Sequence, residues 1–91
     1  MSSADSLLQK MRNSKYGWRY NDIVSLYRGF GFEQREGGNH TIFFHPVHRH
    51  LIATVARHRS LAVGYVQKAV SLIDALKSLE AAKEKEQEKP K

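Results

Sequence analysis

Gly37-Gly38 divides two stretches that read as β-strands, the polar Phe32–Glu36 and His40–His45, which holds the β-forming run Thr-Ile-Phe-Phe. A turn at that point puts a hairpin at the middle of the chain. Pro46 closes the second strand, and Val47-His48-Arg49 makes a short connection to Leu51–Ala56, which is apolar and rich in β-branched residues. Three strands joined in this way predict an antiparallel meander, with Leu51–Ala56 as its central or best-buried strand.

Helical periodicity flanks the meander. Ile23, Leu26, Tyr27 and Phe30 form one apolar stripe at i, i+3, i+4 and i+7. Asn21 is the expected N-cap, with Asp22 in the first turn, and Gly31 is the candidate for the left-handed position after the last turn. A final helix begins within Ser60–Tyr65 and runs past Leu79, carried by Val63, Val66, Val70, Ile73 and Leu76. Leu7, Leu8 and Met11 allow a short helix within Ser3–Arg12, before a break at Asn13, Ser14 and Gly17. The expected fold is therefore α+β: an α-β-β-β-α order, a three-stranded antiparallel sheet with two helices on one face. Residues 1–17 form an N-terminal extension, 18–79 the domain, and 80–91 a charged tail that frays from the last helix.

Charge narrows the partner. Lysines and glutamates cancel over residues 80–91, so the net charge of +6 belongs to residues 1–79, where eleven Lys/Arg face five Asp/Glu. A basic domain with a neutral tail points to a polyanion, most often nucleic acid. With no cysteine, disulfide scaffolds and thiolate metal sites are excluded. No stretch reads as a signal peptide or a membrane span, so a cytoplasmic protein with no membrane partner is expected.

Five histidines cluster as His40, His45, His48, His50 and His58. The run His45–His50 lacks the converging donors of a metal site, and no His-Glu-x-x-His helix is present. His45, His48, His50 and His58 are thus expected as surface or loop residues, with no metal. His40 differs in its setting, since it follows Gly37-Gly38-Asn39 where a turn enters a strand. Glycine there lets another backbone approach closely. An imidazole at that point suits removal of a proton from a ribose 2′-hydroxyl. It also suits the plainer role of a half-buried strand residue.

The stretch WRYNDIVSLYRGFGFEQREGGNHTIFFHP, with GYVQKAVSLIDAL after the third strand, resembles the HicA/YcfA family of toxin–antitoxin ribonucleases. The resemblance covers about residues 18–77. The family's marks are a helix ending in Gly-Phe, a polar strand, a Gly-Ser-His or close variant, and a strand ending in Pro. Here they are Gly31-Phe32, Gly38-Asn39-His40 and His45-Pro46. Asn39 stands where Ser or Thr is usual, and Thr41 where a second His or an Arg is common.

That resemblance implies a double-stranded-RNA-binding-like fold and a toxin endoribonuclease, an mRNA interferase that needs neither metal nor other cofactor. It also implies His40 as the catalytic residue and a HicB-type antitoxin as partner. Gly38 and Asn39 are expected at the RNA. Lys15, Arg19, Arg35, Arg57 and Arg59 are the cations expected to contact its phosphates. Trp18 and Tyr20 are expected to pack the N-terminal segment onto the core, where stacking on bases is the other role open to them. The alternative is a non-catalytic RNA-binding module of the same fold. A protein-interaction adaptor, resting on the charged tail and the N-terminal helix, is a third reading.

Overall fold

A computed structural model describes residues 3–57 and 62–88, with side chains described as far as Ala82. The elements are α1 (Ser3–Asn13), α2 (Tyr20–Gly29), β1 (Glu33–Gly37), β2 (His40–Phe44), β3 (Ile52–Ala56) and α3 (Val63–Glu88). The fold is α+β, with three helices and one antiparallel sheet of order β1-β2-β3.

β2, not β3, is the central strand. In a meander with two short connections, the strand that is second in the chain has both neighbours, so β3 is left at an edge. β3 is nevertheless well buried at Ala53, Val55 and Ala56, and α3 packs against it.

Helix α2 starts earlier than the Asn21 cap predicts. Tyr20 is its first residue and Arg19 its N-cap. The Asp22 carboxylate decides this, because its Oδ2 accepts the Arg19 N–H at 2.9 Å and satisfies a donor at the helix start. The other end follows expectation. Gly31 has φ of +89°, its N–H donates to Arg28 O, and the Phe32 N–H donates to Tyr27 O. Those two bonds and the Tyr27–Phe32 ring contact at 5.0 Å make a Schellman termination.

The core joins all three helices to one face of the sheet. Leu8, Met11, Ile23, Leu26, Tyr27, Phe43, Val55, Val66 and Ile73 are almost wholly enclosed. Burying each large apolar side chain contributes about 1.5–3 kcal/mol. Tyr27 stacks on Phe43 with centroids 4.6 Å apart. Helix α1 belongs to this core through Leu8 and Met11, and crosses α2 where Gly29 leaves room for Ala4. Trp18 and Tyr20 pack against the same core, and Trp18 Nε1 donates to Ser14 O at 2.8 Å. Among the described residues no helix is long and apolar enough to cross a membrane.

Candidate nucleic-acid interface

Strand alternation sorts the sheet's side chains. In β2 and β3, Thr41, Phe43, Ala53 and Val55 point to the helices and are buried. Partners in antiparallel register share a face. Gly37–His40–Ala56, Arg35–Ile42–Thr54 and Glu33–Phe44–Ile52 are therefore three rows on the opposite face. His40 is exposed at one end of it. Ile42 and Phe44 are half-buried, Ile52 is 46% exposed, and Ala56 beside His40 is buried.

The turn that leads into His40 is a two-residue hairpin. Gly37 already pairs with His40, so Gly38 and Asn39 are its central residues. Gly38 has φ of +62° and Asn39 does not share the positive sign, the arrangement of a type II′ turn. A side chain at Gly38 would point into open space. Gly38 and Asn39 are both exposed.

Arg57 anchors this turn. Its Nη1 donates to Glu36 Oε1 at 2.8 Å and its Nη2 to the Gly38 carbonyl, while its backbone N–H donates to Asn39 O at 3.0 Å. Glu36 Oε1 also accepts from Thr41 Oγ1 at 3.2 Å, and Thr41 Oγ1 lies 2.5 Å from the Tyr20 hydroxyl. A single chain of polar contacts thus runs from Tyr20 through Thr41 and Glu36 to Arg57. Thr41, the position that departs from the HicA pattern, is wholly buried in that chain. It faces away from His40. Sequence reasoning missed Glu36, Thr41 and Tyr20 in this role, because every link joins residues far apart in the chain.

The other expected cations are dispersed. Arg35 is exposed on the open face, its guanidinium 5.8 Å from the Phe44 ring centroid. Arg19 lies at the start of α2. Lys15 Nζ donates to Arg12 O at 2.8 Å, capping the end of α1. Arg59 and His58 lie outside the described residues.

His45 corrects the expectation of a surface histidine. It is 6% exposed, and its ring stands edge-on to Phe32, 5.4 Å between centroids. Nδ1 accepts the N–H groups of both Val47 and His48 at 3.1 Å. The imidazole thereby organises the β2–β3 connection. Desolvation holds its pKa below the ordinary value, His48 lowers it further, and Glu80 opposes both. His48 is half-buried with Nε2 4.0 Å from a Glu80 oxygen, and His50 is exposed. Among the described residues no three histidine or carboxylate side chains converge as a metal site would require.

Comparison with protein-family models, with curated proteins and with solved structures returned no match, so the interface is described from this chain's own residues.

Proposed function

We propose that the chain is an endoribonuclease toxin of HicA type, acting on mRNA in the cytoplasm and restrained by a HicB-type antitoxin. The run α2-β1-β2-β3-α3 is read as the double-stranded-RNA-binding-like fold. One observation carries the reading: His40 stands exposed beside a turn whose outer flank has no side chain at Gly38. A ribose–phosphate backbone can therefore come close to the imidazole.

The chemistry is general acid–base catalysis. His40 takes the proton of a ribose 2′-hydroxyl, and the 2′-oxygen attacks the adjacent phosphorus. The bond from phosphorus to the 5′-oxygen breaks. That oxygen receives a proton from the imidazolium or from water, leaving a 2′,3′-cyclic phosphate and a 5′-hydroxyl. A single histidine serving both roles makes a slow enzyme, which is enough where each cut destroys a message. The antitoxin would cover His40 and bring acidic residues to the cationic surface.

The non-catalytic RNA-binding module has one observation in its favour. Among the described residues no side chain hydrogen-bonds the His40 imidazole, so nothing in the free protein orients it. Catalytic contacts often tighten only in the substrate complex. The test is induction of the wild-type chain beside a His40→Ala chain shown to be folded by circular dichroism. Growth arrest with mRNA loss in wild type alone supports the toxin. Cleavage that needs added magnesium and survives His40→Ala overturns it, and binding without cleavage leaves the non-catalytic module.

A further inference from the structure

The open face of the sheet holds a second feature beyond His40. Phe44 and Ile52 pair across β2 and β3, and Arg35 and Arg49 stand at their margin. Together these four side chains line a shallow hollow of about 360 Å³. Arg35 and Arg49 are both exposed, and neither makes an ion pair with a described residue. The Arg35 guanidinium lies over the Phe44 ring, so a cation–π pair is already in place.

Each part of this hollow suits one part of a nucleotide. An aromatic ring gives any nucleobase a face to stack on. A guanidinium plane extends the stack and carries charge for a phosphate. An apolar floor flanked by unpaired cations suits a ligand that is both flat and anionic, and the net charge of +6 favours the same sign of ligand. A purely apolar partner would strand both guanidinium groups away from water.

Position ties the hollow to His40. Both lie on one face of β2, four residues apart, or about 13 Å along the strand. That is a reach of a few nucleotides, since each advances at least about 3.4 Å when stacked. A base can stack on Phe44 only when it is unpaired, because a duplex hides its base faces.

We propose that this face is a binding platform for single-stranded RNA, with one base stacked on the Phe44–Arg35 pair and an adjacent phosphate on Arg49. The choice of RNA rests on the toxin reading. The platform makes the substrate an unpaired stretch of message, with the stacked base a few nucleotides from the bond that His40 attacks.

The test uses the full chain carrying His40→Ala, so that bound RNA stays intact. Fluorescence anisotropy reports binding of a short unstructured RNA and of a hairpin duplex of equal length. The single strand is expected to bind more tightly. Phe44→Leu keeps an apolar side chain without the π-face and is expected to weaken single-strand binding about tenfold or more. Arg35→Gln with Arg49→Gln is expected to reduce the slope of log affinity against log salt by about two. Circular dichroism confirms that each variant is folded.

Single-strand binding that ignores both sets of substitutions overturns the platform, as does equal binding of the duplex. Failure of either RNA to bind also overturns it and leaves the face to a protein partner. The two proposals fail separately. Cleavage by the wild-type chain with binding unmoved by the sheet variants removes the platform alone. Platform-dependent binding by a wild-type chain that leaves RNA uncut removes the nuclease alone.

Discussion

Arg57 donates from its guanidinium to the carbonyl oxygen of Gly38, so the end of β3 holds the turn that begins β2. The same guanidinium reaches Glu36 on β1. All three strands are thereby joined at the end of the sheet where His40 emerges.

Arg57→Ala should loosen that end while leaving the fold intact. Both Arg57 and Glu36 are substantially exposed, so global stability should fall by about 1 kcal/mol or less. Amide hydrogen exchange across Gly37–Thr41 should accelerate several-fold, with exchange in the helices unchanged. Cleavage by His40 should slow in step with it. Unaltered exchange in the hairpin would show that the turn holds without Arg57.

Helix α1 should be sensitive to one methyl group. A Cβ at Gly29 would fall 2.5 Å from the Cβ of Ala4, too close for either helix to stay in place. Gly29→Ala should cost about 1–3 kcal/mol from overpacking, despite the helix propensity gained. Pairing it with Ala4→Gly should recover most of that loss in urea denaturation. Additive effects in the double variant would sink this account of the helix crossing.

Tyr27 presents the opposite case. Its ring is stacked on Phe43, while its hydroxyl is buried with no hydrogen-bond partner among the described residues. Burial accordingly drives the hydroxyl's pKa far above the ordinary tyrosine value. A buried polar group without a partner costs about 1–3 kcal/mol. Tyr27→Phe removes that cost and keeps the ring, so the thermal midpoint should hold or rise. A drop of several degrees would mean that the hydroxyl has a partner in solution.

Acid should weaken the fold through His45. The folded protein favours its neutral form, because Nδ1 accepts two N–H groups and the ring is desolvated. The unfolded chain then binds the extra proton more readily, so stability rises with pH across this window. The contribution should be complete above the ordinary histidine value of 6.5 and fall away as pH drops through the lowered folded value. His45→Asn keeps an acceptor without titrating in that range. Urea midpoints measured on either side of the window should differ more for wild type than for this variant. Equal differences would place the acid sensitivity elsewhere.

Much of the architecture was legible before any coordinates, because it obeys rules that act within a few residues. Gly31 ends α2 since only a left-handed residue closes that last turn. The glycines before His40 announced the hairpin, although Gly37 turned out to belong to the strand and Gly38-Asn39 to the turn. The start of α2 was misplaced by one side chain: Asp22 reaches back to Arg19, a contact that makes a poor capping residue serve as the cap.

Local order and composition account for the sequence of elements, the turn that delivers His40, and the cationic balance of the domain, because periodicity and turn chemistry are properties of neighbouring residues. Strand register is different. It puts His40, Arg35 and Phe44 on one face and turns Thr41 to the other, and a shift of one residue would reverse both placements. The bonds from Arg57 to Gly38 and Glu36 span 19 and 21 positions. His45 is buried only because the β2–β3 connection folds around its ring. Such relationships arise when distant segments compete for the same space and the same hydrogen-bond partners, and that competition is settled in three dimensions.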